Sequence, residues 1–372
     1  MKKKALIFYI SEFSGHFHGA NAIKKGLLEI DKNIDIEMVN ALEYTNPILG
    51  NIINRTYFEV IKKRPEFWGH IYDNPSVLKK TKKAREALHR YNMSKIKRLI
   101  GKYEPAVVLC TQAFPCGMVA DYKKTTGSNI ILIGVLTDYA PHSYWLYDEV
   151  NYYVVPSEHV GRALEKKGVP AGKIKAYGIP VDPKFGLRHD KGDVRGRLGL
   201  RREDPAILIM GGSQGIGAIE EVVKELLEDT RHNYQLLVIT GKNKRLYRRL
   251  VKLAEKKEKN LKVFPYMENI DELMEVSDLI ITKAGGLTTA EALVKKLPLL
   301  IMDPIPGHER MNADFLVEKG VAVELSGYEN IHEEINKLFD SVELLLNMQA
   351  RAGELSHPES SLDIAKLAIE GS

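Results

Sequence analysis

The sequence predicts an α/β protein made of two doubly wound domains in tandem. Short apolar runs rich in β-branched residues alternate with helix-length segments throughout the chain, as in parallel sheets wrapped by helices. A stretch from Asp182 to Asp204, rich in proline, glycine and charge, divides the alternation into two series, and 372 residues are too many for one small core. We expect a first domain over 1–185, a linker over 186–204, a second domain over 205–350, and a helix over 351–372 that could pack back on the first domain.

Eleven strands are predicted, five in the first series and six in the second. Those of the first series are Lys4–Ile10, Ile34–Val39, Ala106–Thr111, Ile130–Leu136 and Tyr152–Val155. Those of the second are Ala206–Met210, Gln235–Thr240, Leu261–Phe264, Leu279–Thr282, Leu299–Met302 and Val321–Val323. Doubly wound sheets bind ligands at the carboxyl ends of their strands, so the loops at these ends are where we look for functional residues.

The composition excludes several classes of protein. With 44% apolar and 28% charged residues, the chain is too balanced for a disordered or fibrous protein. The apolar run Ala5–Ile10 is too short for a secretory signal, and no run approaches the ~20 apolar residues that span a bilayer. Cys110 and Cys116 cannot form a disulfide framework, which fits a reducing cytoplasm. The spacing of histidines and cysteines matches no metal motif, so we expect no metal.

Positive charge is concentrated in one part of the chain. The net charge is +5, yet the segment from Arg55 to Tyr103 has fourteen Lys and Arg residues against four Asp and Glu residues. Aromatic residues, including Phe67 and Trp68, are interleaved with these cations, as in segments that settle on an anionic lipid surface. A solvated helix face is the alternative. No nucleic-acid-binding module accompanies the patch, so we do not expect nucleic acid as a partner. The lysines expected at the membrane are Lys79, Lys80, Lys82 and Lys83.

A glycine-rich loop follows the first strand of the second series. Gly212, Ser213, Gln214 and Gly215 belong to a run of seven residues, 211–217, that leads into an amphipathic helix predicted over Ala218–Leu227. Glycines allow a close approach, and the N–H groups and positive end of the next helix favour a phosphate. The loop predicts an anion site, although such a turn can also be merely tight.

The next two loops carry polar residues at comparable places. In the first of them Gly285 and Gly286 free backbone donors, Lys283 adds a cation and Thr288 could cap the following helix. Glu291 is then either a capping-box carboxylate or an acceptor for ribose hydroxyls. In the second, a Pro-x-Pro-Gly approach precedes a helix start with its polar side chains one turn apart. Glu309 and Asn312 are the pair one turn apart, and His308 comes directly before them.

Two loops of the first domain contain candidate catalytic residues. His16 follows Gly15 at a strand-to-helix turn, and a histidine there titrates near neutral pH and can act as a general base. His18 remains undecided. Asp138 ends another strand and could orient a hydroxyl or only cap a turn, with His142 and Trp145 close by to contact a sugar or lipid acceptor.

Taken together, five motifs resemble those of glycosyltransferase family 28. The Gly-Gly-Ser-Gln-Gly loop, Lys283-x-Gly-Gly-x-Thr-x-x-Glu291 and Pro306-Gly-x-Glu-x-x-Asn312 resemble its donor half. The Gly15-His16 loop and the stretch Thr137-Asp138-Tyr139-x-x-His142-x-x-Trp145 resemble the acceptor half of its diacylglycerol branch. The resemblance implies a GT-B fold of two Rossmann-like domains facing a cleft. It also implies inverting transfer of a hexose from UDP-glucose or UDP-galactose to diacylglycerol, without metal or cofactor.

The resemblance also assigns roles to residues. Gly212 to Gly215 would contact the diphosphate, Glu291 the ribose, Phe264 to Met267 the uracil, and Glu309 with Asn312 the donor sugar and its phosphate. His308 stands where the family usually has glutamine. His16 is the first candidate for the base and Asp138 the second, and residues 55–103 would hold the protein on the cytoplasmic face of the membrane.

Three other functions are compatible with the sequence. One is a GlcNAc transferase that acts on a polyprenyl-diphosphate lipid, although the stretch from Thr137 to Trp145 argues against it. The second is a UDP-sugar epimerase on the same fold, which would be active without any lipid. The third is a nucleotide-sugar binder without catalysis.

Overall fold

The computed structural model describes residues 2–12, 14–46, 75–140, 142–228, 233–256 and 260–371. Side chains are described for these ranges except at 75–86, 88, 256 and 330. The chain forms two compact units. The first unit contains Met1–Pro183, Pro306–His308 and Glu359–Ser372, and the second contains Lys184–Ile305 and Glu309–Pro358.

The first unit is built on a six-stranded parallel sheet in the order β2-β1-β3-β4-β5-β6. The inner strands β1, β3 and β4 are almost entirely apolar and buried, as expected where a sheet is covered on both faces, whereas the edge strand β2 is partly polar and exposed. The strands are β1 (Lys4–Tyr9), β2 (Asp35–Asn40), β3 (Val107–Cys110), β4 (Ile131–Val135), β5 (Tyr152–Val154) and β6 (Ile174–Lys175). The helices are α1 (Gly15–Ile30), α2 (Ala41–Thr45), α3 (Pro75–Tyr103), α4 (Ala113–Thr126), α5 (Glu158–Lys166) and, after the second unit, α14 (Ser360–Glu370).

The second unit has the same architecture, with sheet order β12-β11-β10-β7-β8-β9, also parallel. Its strands are β7 (Ala206–Met210), β8 (Gln235–Ile239), β9 (Leu261–Phe264), β10 (Leu279–Thr282), β11 (Leu299–Ile301) and β12 (Ala322–Glu324). Its helices are α6 (Lys191–Arg197), α7 (Ile219–Glu228), α8 (Lys244–Lys256), α9 (Ile270–Val276), α10 (Gly286–Val294), α11 (His308–Glu318), α12 (Ile331–Asp340) and α13 (Val342–Leu355). The predicted α/β class with two parallel sheets is therefore confirmed.

Helix α14 packs against α1 in the first unit through a glycine. A Cβ on Gly26 would lie 2.5 Å from the backbone oxygen of Ser361, so only glycine lets the two helices approach this closely. Ser360 Oγ accepts a 2.9 Å hydrogen bond from the backbone N–H of Val181. The last helix of the chain thus completes the first unit.

The segment predicted as a linker, 186–204, groups with the second unit and contains α6. Charged side chains hold its first residues in place. Lys295 Nζ donates to the Leu187 backbone oxygen and to Glu275 Oε2, both at 2.7 Å, and the Lys295–Glu275 pair is buried. A polar segment can therefore pack on the unit because its partners are polar as well. None of the helices in the described ranges is long and apolar enough to cross a membrane.

Candidate active site

Three of the loops selected from the sequence follow β7, β10 and β11, which are neighbours in the sheet of the second unit. The glycine-rich loop after β7 has left-handed backbone at Gly212 and Gly215, with φ of +68° and +60°. A Cβ on Gly211 would lie 2.0 Å from the Ile216 oxygen, and one on Gly215 would lie 2.0 Å from the Thr240 oxygen. The loop therefore needs glycine both for its conformation and for its close packing.

Lys283 connects the three loops. Its side chain passes over the glycine loop, because a Cβ on Gly212 would lie 3.5 Å from Lys283 Cε. Its Nζ forms a 2.6 Å ion pair with Glu309 Oε1, whose side chain is buried. The other oxygen of Glu309 accepts from the backbone N–H of Ile305 at 3.2 Å. The positive charge of Lys283 at this edge of the sheet is thus shared with a carboxylate.

Asn312 and Glu309 both face the protein interior. Asn312 is fully buried, and its Nδ2 donates a 3.0 Å hydrogen bond to the backbone oxygen of Ala284 in the loop after β10. His308, half-buried, is the first residue of the same helix, α11. Glu309 and Asn312 therefore tie the loop after β11 to the loop after β10. This positioning role is separate from any contact with a ligand.

The start of α10 differs from the sequence prediction. The helix begins at Gly286 with Gly285 as its N-cap, and no side chain caps it, so the prediction that Thr288 caps this helix is wrong. Glu291 is the sixth residue of α10, beyond the first turn, which also excludes the capping-box interpretation. Helix α10 starts earlier than predicted because Gly285 itself serves as the N-cap. The interpretation of Glu291 as a ribose acceptor stays a prediction.

Glu291 lies near an aromatic side chain on the loop after β9. Burial raises the pKa of Tyr266, and the neighbouring carboxylates of Glu268 and Glu291 raise it further. Lys242 Nζ sits 5.8 Å from the centre of the Tyr266 ring. Phe264, at the end of β9, accepts hydrogen bonds from the backbone N–H and hydroxyl of Thr240 through its carbonyl. Met267 is half-buried in the same loop.

In the first unit, two threonines hold His16. The ring Nδ1 lies 3.0 Å from Thr137 Oγ1, and the hydroxyl of Thr111 donates to the His16 backbone oxygen at 2.9 Å. Ser14 caps α1, accepting from the backbone N–H of Phe17, which places His16 in the first turn beside the exposed Gly15. Burial lowers the pKa of His16, and the carboxylate of Asp138 opposes this shift only in part. A neutral imidazole is the form that accepts a proton.

The other predicted acceptor residues lie on the loop after β4. Burial and the charge of Asp138 raise the pKa of Tyr139. The His142 ring packs edge-on against Tyr144, and its centre lies 6.2 Å from that of Trp145. Trp145 is only 4% exposed and belongs to the hydrophobic core. The Trp145 ring therefore supports the loop from within the core. His142 is half-buried, and of these two residues it is the more exposed.

Sequence reasoning missed several residues at these loops. In the sequence, Thr137 is one residue of a longer motif, Thr111 ends a predicted strand, and nothing distinguishes Asn243 or Tyr266 from other loop residues. Threonine and asparagine are common at turns, so no local signal distinguishes those that contact a functional loop.

The predicted membrane residues fall in a part of the chain that is only partly described. Phe67 and Trp68 lie outside the described residues. Lys79, Lys80, Lys82 and Lys83 lie in α3, for which the backbone is described there but not the side chains. Within the described ranges, no group of three or more His, Cys, Asp or Glu side chains could hold a metal ion.

Comparison with known proteins gives matches to both halves of the chain. The family model of monogalactosyldiacylglycerol synthase matches residues 16–181. The model of the C-terminal domain of glycosyltransferase family 28 matches residues 206–367. The processive diacylglycerol beta-glucosyltransferase of Bacillus cytotoxicus is 30% identical, over 99% of this chain and 93% of that protein. The protein of the same name from Bacillus subtilis is 27% identical, over 96% and 93%.

Solved structures resemble the whole chain. MurG of Acinetobacter baumannii gives a TM-score of 0.64 at 16% identity and covers 99% of both chains. MnaA of S. aureus, in a co-structure with UDP, gives 0.62 at 16% identity and covers 98% of this chain and 95% of its own. At this level of identity the likeness shows the fold, which is GT-B.

Proposed function

We propose a specific reaction for this chain from the family to which it belongs. The chain belongs to the diacylglycerol glycosyltransferases of glycosyltransferase family 28. It is an enzyme of glycolipid synthesis. We propose that the sugar is glucose, taken from UDP-glucose and joined to diacylglycerol in β linkage. One observation carries this choice of sugar, namely that relatives aligned over nearly the whole chain are named as β-glucosyltransferases.

The donor is proposed to bind the second unit. The glycine loop would bring backbone N–H groups to the diphosphate, because glycines at 212 and 215 keep side chains away from it. The Gln214 Nε2 atom is buried and lacks a hydrogen-bond partner among the described residues, so it is a donor that a phosphate oxygen can satisfy. Glu291 would accept the ribose hydroxyls, with Tyr266 and Met267 against the uracil. Glu309 and Asn312 would contact the hexose while holding their loops together.

The acceptor is proposed to react at the first unit. His16 removes the proton from the free hydroxyl of diacylglycerol as that oxygen forms its bond to the anomeric carbon of glucose. The bond from this carbon to the UDP oxygen breaks in the same displacement, so the configuration inverts and UDP leaves. Backbone donors and the shared charge of Lys283 stabilise the leaving diphosphate. Asp138 is the second candidate for the base, because its charge acts on His16.

Attachment to the cytoplasmic face of the membrane is proposed through the basic segment 55–103. This segment has a net charge of +10, from fourteen cations and four anions. Lysine and arginine near an anionic leaflet contribute about 1 kcal/mol each, so a few of them suffice for reversible attachment. The protein would then reach its lipid acceptor at the membrane surface.

The reaction can be tested by incubating the protein with diacylglycerol vesicles and UDP-glucose, UDP-galactose or UDP-GlcNAc in parallel. Mass analysis of the lipid and NMR of the product linkage are the readouts. We expect β-glucosyl diacylglycerol from UDP-glucose. A galactolipid as the main product would show that the donor sugar is galactose and not glucose.

The remaining functions give other results in the same experiment. Transfer of GlcNAc to an added polyprenyl diphosphate would indicate the GlcNAc transferase that acts on a polyprenyl-diphosphate lipid. Epimerised UDP-sugar without lipid, or UDP binding without any product, would contradict the proposed reaction.

A further inference from the structure

The loop between β8 and α8 packs directly against the glycine loop in the second unit. Residues 240–243 lie beside it, because β8 is the neighbour of β7 in the sheet. Gly241 has a left-handed φ of +56°, and a Cβ there would lie 2.4 Å from the backbone oxygen of Ser213. The backbone N–H of Lys242 donates to the same oxygen at 3.0 Å. The two loops therefore interlock through their backbones.

The Asn243 side chain connects the two loops a second time. Its Nδ2 donates a 3.2 Å hydrogen bond to the backbone oxygen of Gly215. Its Oδ1 accepts a 3.0 Å hydrogen bond from the backbone N–H of Leu246, which makes Asn243 the N-cap of α8. One side chain thus joins a rigid helix start to the far end of the glycine loop.

This contact acts at the end of a tight turn in the glycine loop. The N–H of Gly215 bonds to the Gly212 oxygen at 3.1 Å, which closes a tight turn around Ser213 and Gln214. When Asn243 holds the Gly215 carbonyl, it fixes the orientation of that peptide plane and of the turn before it. Backbone donors bind an anion well only when they are held in place before it arrives.

We propose that Asn243 is a positioning residue for the donor diphosphate. It does not touch the donor. It holds the glycine loop in the closed turn, so that the backbone N–H groups of 212–214 keep a fixed orientation. This proposal rests on the proposed binding of a UDP-sugar at that loop. The alternative is that Asn243 serves only as a helix cap, with no effect on ligands.

The substitution Asn243→Ser separates these two roles. Serine is a good N-cap, so the bond from the Leu246 N–H is retained, but its side chain is too short to reach the Gly215 oxygen. Asn40→Ser is a matched control in the first unit, because Asn40 caps α2 by accepting from the Glu43 N–H. Asn243→Thr, which also keeps a cap hydroxyl, is the second variant if Asn243→Ser does not fold.

Titration calorimetry with UDP and with uridine gives the readout, together with thermal unfolding. We expect the affinity of Asn243→Ser for UDP to fall roughly three- to tenfold, the range for one lost hydrogen bond, with uridine affinity unchanged. The melting temperature should shift no more than in Asn40→Ser. Unchanged UDP affinity, or equal loss for UDP and uridine, overturns the proposal. Absence of UDP binding in the unsubstituted protein contradicts the proposed function itself and removes the basis of this inference.

Discussion

The two units have the same sheet architecture but hold their functional loops by different means. In the second unit, the loop after β7 contains glycines with left-handed backbone, at positions where a Cβ would lie closer to a neighbouring atom than van der Waals contact allows. Neighbouring loops hold this loop in place. In the first unit, the hydroxyls of Thr111 and Thr137 hold the backbone and ring of one histidine. A backbone site is sensitive to added atoms, whereas a side-chain site is sensitive to removed ones. The predictions below use this difference.

The largest effect is expected in the first unit. If His16 is the base, His16→Ala should lower turnover at saturating substrates by roughly 10²–10⁴-fold, the usual contribution of a positioned base. His18→Ala, two residues along the same helix, is the control and should stay near wild-type turnover. A rate close to wild type for His16→Ala would move the role to Asp138 or elsewhere.

Vesicle binding should also depend on the first unit alone. We expect reversal of four lysines of α3 to abolish sedimentation with anionic vesicles, since each contributes about 1 kcal/mol, and high salt should release the unsubstituted protein in the same way. The four changes are Lys79→Glu, Lys80→Glu, Lys82→Glu and Lys83→Glu. The matched control reverses four exposed cations of α8 in the second unit, which should leave vesicle binding in place. Those residues are Lys244, Arg245, Arg248 and Lys252. Equal sedimentation of both variants, or equal binding to neutral vesicles, would favour a solvated helix face.

In the second unit, one added methyl group should weaken the binding of UDP. A Cβ at Gly215 meets the Thr240 oxygen at 2.0 Å, and φ of +60° is unfavourable for alanine. Overpacking of this kind costs about 1–3 kcal/mol of folding stability. The loop backbone must shift to relieve the contact, so we expect Gly215→Ala to bind UDP clearly more weakly than the unsubstituted protein. Gly101→Ala is the control, since nothing lies within 4 Å of a Cβ there. UDP affinity equal to that of Gly101→Ala would contradict the assignment of the glycine loop.

A smaller loss of UDP affinity is expected from removing the Glu291 side chain of the second unit. Glu291→Ala should lower UDP affinity about tenfold, because a carboxylate loses charge-assisted hydrogen bonds from the ribose hydroxyls. The effect should be much weaker on 2′,3′-dideoxy-UDP, which lacks those hydroxyls. Glu268→Ala, on the loop after β9, is the control. Equal losses for both nucleotides would show that Glu291 does not bind the ribose.

The smallest effect concerns pH. Burial lowers the pKa of His16 below its ordinary value of 6.5 despite the nearby carboxylate of Asp138, so the neutral base persists as the pH falls through 6.5. We therefore expect the acidic decline of turnover to be centred below pH 6.5. Thr137→Val, which removes the hydroxyl at Nδ1, should lower the turnover plateau, and Thr137→Ser should restore it. An acidic decline centred above pH 6.5 would contradict this environment for the base.

The sequence predicted the strands well because most of them are buried apolar runs bounded by turn residues. Only β6 was missed, since two residues carry no periodicity. The glycine loop was also visible, because its backbone conformation requires glycine at fixed positions. The supports of both sites were not visible. Thr137 is 121 residues from His16 in sequence, and Asn243 is 28 residues from Gly215, so only the sheet order brings each pair together. The start of α10 was misplaced because a threonine looked like a better cap than the glycine that serves.

The division of roles between the units is tested most directly by titrating UDP into His16→Ala. The donor is assigned to the second unit and proton removal to the first. His16 has no assigned contact with the donor, so this variant should bind UDP within about twofold of the unsubstituted protein, as for a substitution that removes no binding contact. The same preparation should have lost its turnover. A loss of UDP affinity as large as the loss of turnover would show that His16 belongs to the donor site and would contradict the account.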